Sequence, residues 1–258
     1  MQSPQRNAKS PEDKALLMKF EEAAVRAWPA VETINIDGWL WRYTGGGSQR
    51  ANSVSPLTFI GRDMEAAVAE CEWLYRSRRA PVLFQMSEIA MPSDLDELLD
   101  SCGYRVREPV TTLTKSITVP KGAIPNGVKV SSLPTEDWLG VYLATISADR
   151  AKIAHKILNR VPQPAVFATA YAGGKPISCA LGVVHNGVVI AECVATAAAA
   201  RRQGGARRVM EALEAYGGDH GAKSIGLQAV EANGPAQGLY AGLGYKLLGR
   251  YHYRIRDF

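Results

Sequence analysis

Thr196 to Met210 reads TAAAARRQGGARRVM: small residues, then arginines and glycines, then the start of an amphipathic helix. From Ala206 the apolar positions Ala206, Val209, Met210 and Leu213 recur at i, i+3, i+4 and i+7, one face of a helix. Gly217-Gly218 is the expected stop. Upstream, Val188 to Val194 is an apolar, β-branched run of strand length. The local order is strand, glycine-bearing loop, helix.

The charges at this helix start oppose the helix dipole. A helix N-terminus carries partial positive charge and favours Asp or Glu. Here Arg201, Arg202, Arg207 and Arg208 crowd the loop and first turn, and no acid comes before Glu211. Each misplaced cation costs about 0.3–1 kcal/mol when partly exposed. An anion in the loop removes the conflict, because free N–H groups and the dipole form a phosphate site that glycines let the backbone approach. The alternative is a solvated basic helix start. Charge, glycine content and element order together favour the anion.

The remaining 258-residue chain sets the frame. It is 47% hydrophobic and 21% charged, a globular composition, and its net charge of +5 decides little between anionic ligands. Cys71, Cys102, Cys179 and Cys193 form no CxxC pair, and the histidines are dispersed, so neither a metal site nor a disulfide framework is expected and a cytoplasmic home is the simplest. The most apolar region, Cys179 to Ala200, is interrupted by His185-Asn186-Gly187 and Glu192 and cannot span a bilayer. Gly217 to Ser224 falls short of a P-loop because Ala222 replaces its second glycine, and it leads from helix to strand, the reverse of that motif.

Along the chain, residues 1–11 read as a disordered leader. Helices are expected at Lys14 to Trp28, Asp63 to Arg78, Pro92 to Cys102, Thr135 to Ser147, Arg150 to Leu158 and Pro235 to Gly242. Strands are expected at Trp39 to Tyr43, within Arg50 to Ile60, and at Val82 to Met86, Thr111 to Val119, Val128 to Ser132, Val166 to Tyr171, Ile177 to Val184, Ser224 to Val230 and Lys246 to Arg256. Gly173-Gly174 and Asn186-Gly187 read as hairpin turns. Residues 120–127 hold prolines and glycines without periodicity and read as a linker between domains at 12–119 and 128–258. The two parts echo each other. VLFQMSEIAMPSDLDELLDSCGY (82–104) and IGLQAVEANGPAQGLYAGLGY (225–245) both run from a Gln-bearing strand through a Pro-opened helix to Gly-Tyr. Only the second part carries RRQGGA.

These motifs resemble the GNAT N-acetyltransferase superfamily. Arg201-Arg202-Gln203-Gly204-Gly205-Ala206 is similar to its pyrophosphate signature, and NGPAQGLYAGLGY (233–245) to its downstream pattern of Asn, Ala, Leu-Tyr and Gly-Tyr. The resemblance covers 128–258, with the first part as a degenerate copy, a tandem arrangement. It implies a mixed α+β fold of two GNAT-like halves, each a twisted, mostly antiparallel sheet flanked by helices. It also implies acetyl-CoA as donor, with no metal. Backbone amides from Gln203 to Arg207 would hold the pyrophosphate, and Arg201 and Arg202 would add charge. Val194-Ala195-Thr196 would splay from the neighbouring strand to pair with the pantetheine arm and polarise the thioester. Asn233 and Ala236 would contact the cofactor arm, and Tyr240 would protonate the departing thiolate. Ala197-Ala198 replaces a proline common in the family, giving either a looser loop or an added turn of helix.

Other residues are weighed on their own chemistry. Strand alternation puts Glu192, Val194 and Thr196 on one face, making Glu192 the candidate general base, with a solvent-facing strand-end carboxylate as the bland reading. Glu231 and His185 are weaker candidates for the same task. The cluster Arg50-Ala51-Asn52-Ser53 either closes a hairpin or faces an acceptor pocket from the other half. Arg250, Arg254 and Arg256 read as a solvated strand edge. The expected partner is a small-molecule amine, with no membrane. Nucleic acid is disfavoured because the arginines occupy one loop, without an aromatic-interleaved basic face. A homodimer is left open.

Overall fold

The computed structural model describes residues 9–118 and 122–258. The expected leader therefore lies largely outside the described residues, as does the 120–121 end of the expected linker.

In chain order the helices are α1 (Pro11–Ala27), α2 (Met64–Ser77), α3 (Leu95–Ser101), α4 (Glu136–Leu143), α5 (Ala148–Leu158), α6 (Gly205–Asp219) and α7 (Gly234–Gly242). The strands are β1 (Glu32–Ile36), β2 (Trp39–Tyr43), β3 (Val82–Ser87), β4 (Arg105–Ser116), β5 (Val128–Ser131), β6 (Ala165–Ala172), β7 (Lys175–His185), β8 (Val188–Thr196), β9 (Ser224–Val230) and β10 (Lys246–Arg256). Short 3-10 turns lie at Arg50–Asn52 and Ala198–Ala200. The second resolves the choice left by the missing proline: the alanines add a turn of helix.

Local chemistry sets most boundaries. Ser10, Asp63, Thr135 and Ser147 each accept a backbone N–H at a helix start. Asn186 and Gly187, both at positive φ, close the β7–β8 hairpin as expected. The reading of Gly217-Gly218 as a stop is corrected, for α6 runs on to Asp219 and Gly221 (φ 77°) makes the turn. Gly217 is instead a contact glycine, where a Cβ would come within 2.3 Å of Val189 Cγ2. The strand expected within Arg50 to Ile60 is reduced to the 3-10 turn and two isolated bridges, Leu40↔Ser55 and Val54↔Phe84.

The expected mostly antiparallel sheet is present, as one eight-stranded sheet in the order β3-β10-β4-β9-β8-β7-β6-β5, beside the β1-β2 hairpin. Each half gives its last strand to the other. β10 lies between β3 and β4, and β4 between β10 and β9. The repeated units β3-α3-β4 and β9-α7-β10 are thus interlocked rather than adjacent. Helix α1 follows the same logic, packing Leu17, Phe20 and Trp28 into the core of α4, α5 and β6–β8. Helix α6 covers the opposite face through Val209, Met210 and Leu213. Among the described residues no helix is long and apolar enough to cross a membrane.

The parallel junction within the eight-stranded sheet is the one that positions the site. Strand β8 pairs with β9 only from Val188↔Ser224 to Ile190↔Gly226, then runs on to Thr196 beside β7 alone. Its edge toward β9 is open over the last six residues.

Candidate active site

The opening between β8 and β9 ends at the arginine loop. Gly204 takes the left-handed conformation (φ 73°) and leads into an α6 start with no side-chain cap and no acid in its first turn. Arg202 is also left-handed (φ 65°), an uncommon state for a non-glycine residue. Gly205 is pressed against β7, where a Cβ would lie 2.3 Å from Ser178 Oγ. Arg201, Arg202, Gln203 and Arg207 are exposed, and Ala206 is half-buried. None of Arg201, Arg202 and Arg207 pairs with a carboxylate among the described residues. Arg208 departs from the expected cluster: it donates to the carbonyls of Tyr171 (3.0 Å) and Asn126 (3.4 Å), tying the loop to β6. By contrast the equivalent helix of the first half, α2, is capped by Asp63 and carries Glu65 in its first turn. An anion there would meet like charge.

A bulge reorders β8. Leu181 faces Glu192 and Cys179 faces Ala195, so β8 spends one extra residue across that step, with Cys193 at φ 54°. Strict alternation fails as a result. Glu192 shares its face with Ala195, on the side of α1 and α4, whereas Val194 and Thr196 turn to the α6 side. The expectation of Glu192, Val194 and Thr196 on one face is corrected accordingly.

Glu192 is buried and held by Arg50, whose NH2 lies 2.5 Å from Oε2 while NH1 bonds Oε1. Both carboxylate oxygens are engaged by the one guanidinium, which ties the start of the β8 bulge to the 3-10 turn at Arg50. Burial works against the Arg50 charge, but the Glu192 carboxylate outweighs it and holds that guanidinium above its ordinary range. Arg50 NH1 also reaches Gln228 Oε1 (3.4 Å), and Gln228 Nε2 donates to Glu21 Oε2 (3.1 Å). The first half repeats the motif, with Arg42 on Gln85 (3.4 Å) and Gln85 on the same Glu21 oxygen (3.2 Å). Thr112 donates to the other oxygen at 3.1 Å. Burial pushes the Glu21 carboxyl up to about 7, against the hydrogen bonds and arginine charges that pull it down. This shared carboxylate was not found by sequence reasoning; the two glutamines at matching positions of the repeat were its one visible trace.

Arg50 also lines a cleft of about 600 Å³ built by both halves. Gly46 to Arg50 and Arg107-Glu108 come from the first, and Asp149-Arg150, Gln228 and Val230 from the second. Of the Arg50 cluster, Arg50 and Asn52 line this cleft, while Asn52 also closes the loop after β2, its Oδ1 accepting from Thr44 N–H (2.8 Å) and Gly46 N–H (3.2 Å). Tyr251 and Tyr253 form part of the lining.

Tyr240 on α7 is buried against Tyr245, with ring centroids 5.8 Å apart. Its hydroxyl makes no hydrogen bond among the described residues. Burial, with the charge of Glu192 added, raises its phenol well above the ordinary range. Asn233 has a local task, since its Oδ1 caps α7 by accepting from Ala236 N–H at 3.2 Å. Of the weaker base candidates, Glu231 is paired with Arg250 at 3.5 Å, and burial lowers His185. Arg254 is not the solvated edge expected: it is buried and binds Asp96 at 2.9 Å and Asp100 at 2.5 Å.

A sheet that parts between parallel strands, with a bare basic helix start at the gap, defines the GNAT fold. A GCN5-related N-acetyltransferase from Kribbella flavida superposes with a TM-score of 0.63 at 16% identity, over 97% of this chain and 96% of that one. A tandem GNAT protein from the clavulanic acid biosynthesis pathway gives 0.59 at 14% identity, over 80% and 75%. In sequence, residues 15–255 match the family described as "Probable histone acetyltransferase Rv0428c C-terminal", and the chain belongs to it. YobR of Bacillus subtilis (strain 168), described as an N-acetyltransferase, is 30% identical over 250 residues, 93% of this chain and 98% of that protein. The chain is thus an acetyltransferase of GNAT type.

Proposed function

We propose that the protein moves an acetyl group from acetyl-CoA to the primary amine of a small molecule, by direct attack in a ternary complex. The observation that carries this reading is the uncapped, acid-free start of α6, beside three arginines without carboxylate partners among the described residues and next to the open edge of β8. The residues fit a diphosphate: free amides from Gln203 to Arg207, a left-handed Gly204, and Arg201 and Arg202 in solvent reach. The unpaired backbone of Val194, Ala195 and Thr196 suits an extended amide-bearing arm, and its N–H groups suit a developing oxyanion. Asn233 and Ala236, at the start of α7, would flank that arm. The donor supplies an activated thioester carbonyl.

In the transfer, a nitrogen–carbon bond forms as the carbon–sulfur bond breaks. The departing sulfur gains one proton and the amine loses one, which passes by way of solvent back to the group that protonated the sulfur, so no net proton is consumed. Tyr240, protonated and without a protein partner, is the group to donate to sulfur. Most of the rate comes from holding the amine against the carbonyl in a cleft lined by both halves. The family description names histones. A small acceptor is favoured here because the cleft is bounded by both halves and lined by arginines, a poor match for a lysine-rich tail.

The test is release of CoA thiol from acetyl-CoA across a panel of amines. Amine-dependent release supports transfer; binding of CoA without release for any amine means a ligand-binding protein instead.

A further inference from the structure

The cleft carries charge that acetyl transfer itself does not use. Of its three lining arginines, Arg50 is spent on Glu192. Arg107 on β4 and Arg150 on α5 make no ion pair among the described residues. Asp149 is occupied by Lys152 at 2.9 Å, which leaves Glu108 as the unpaired acid of the lining. The Arg150 fork is held in place. Its Nε donates to Tyr142 Oη (3.0 Å), and its guanidinium carbon lies 5.0 Å from the Trp28 ring centroid. Its terminal nitrogens donate to no protein acceptor among the described residues. The wall beside it is close-packed, since a Cβ on Gly47 (φ 71°) would stand 2.6 Å from Asp149 O.

Resting on the acetyl-transfer reading, we propose that the acceptor is an amino-carboxylic acid. Arg150, with Arg107 elsewhere in the same lining, receives the carboxylate, and the amine points to the β8–β9 opening. A preorganised planar fork with unspent donors matches a carboxylate in two parallel hydrogen bonds. Gln228 and Val230 join this cleft to the opening, for both lie on β9 beyond its last pair with β8 at Gly226. Arg107 and Arg150 against the one unpaired acid, Glu108, leave the lining with an excess of positive charge among the described residues, which favours a carboxylate over a polyamine or a lysine-rich peptide.

The experiment is calorimetric titration of the full-length protein, with and without CoA, by the protein amino acids, β-alanine and 4-aminobutanoate. Each is compared with its carboxamide, and spermidine and a lysine-rich peptide are run alongside. At least one amino-carboxylate binds about tenfold or more tightly than its carboxamide. That preference disappears in Arg150→Gln and shrinks in Arg107→Gln, whose exposed position leaves the fold intact. The proposal is overturned if no amino-carboxylate binds, if the carboxamides, spermidine or the peptide bind as tightly, or if both variants keep the preference. Failure of the transfer reading shows elsewhere, as absent CoA heat or absent thiol release.

Discussion

Arg50 of the first half closes on Glu192 of the second in a two-pronged ion pair, across 142 positions of sequence. The pair lies where the cleft meets β8, so it both fixes a wall of the cleft and fastens the halves together. A buried pair is costly to break from one side, because the surviving charge is left without a partner. Glu192→Gln and Arg50→Gln are each expected to lose about 3–5 kcal/mol of stability in urea denaturation. The double variant costs clearly less than the sum. A double variant that costs the full sum would show that the two residues do not act as a pair.

Glu21 makes stability depend on pH. Its folded carboxyl is raised to about 7 by burial, above its ordinary value of 4.5. The folded state therefore holds the proton more tightly than the unfolded chain. The associated stability is complete below pH ~4.5 and is lost as pH rises through ~7, on the order of 3 kcal/mol in all. Glu21→Gln keeps an oxygen for Gln85 and Gln228 and an N–H for Thr112, and removes the titration. Denaturation midpoints of this variant should be flat between pH 5 and 8 where those of the wild type fall. Equal slopes would clear Glu21 of the effect.

Gly205 is where α6 touches β7. An added Cβ would meet Ser178 Oγ at 2.3 Å, so Gly205→Ala is expected to destabilise by about 1–3 kcal/mol and to weaken CoA binding by displacing the first turn. Adding Ser178→Ala removes the hydroxyl and recovers part of both losses. An undisturbed melting temperature in Gly205→Ala would mean that the contact yields without cost.

Tyr240→Phe removes one hydroxyl from a buried ring whose packing it leaves alone. Turnover should fall by about 10²-fold or more, with CoA affinity within about threefold of the wild type. Because burial holds the phenol above its ordinary range, the alkaline limb of the wild-type rate profile should show no tyrosine ionisation near pH 10. Unchanged turnover in the variant would remove Tyr240 from the chemistry.

How far the site could be read from sequence depended on whether the signal was local. The β6–β7–β8 meander, its Asn186-Gly187 turn and the arginine loop were legible because turn chemistry, charge and periodicity act within a few residues. The exchange of β4 and β10 was not, for a strand's own residues do not say which partner it will join. The bulge at Cys193 escaped because a positive φ there falls on a residue type that does not announce it. Arg208 looked like its neighbours until the carbonyls of Tyr171 and Asn126 were in place. Arg50 stands out in the sequence by its polar neighbours, but its ion pair depends on Glu192 from the other half.

The central claim is that the bare start of α6 is an anion cradle. Isothermal titration of CoA into the protein tests it most directly, with Arg201→Ala/Arg202→Ala and Arg208→Ala as comparisons. The account predicts measurable heat for the wild type, affinity reduced by about tenfold or more in the double variant, and affinity nearly unchanged in Arg208→Ala. No heat with the wild type, or equal affinity in the double variant, would contradict it.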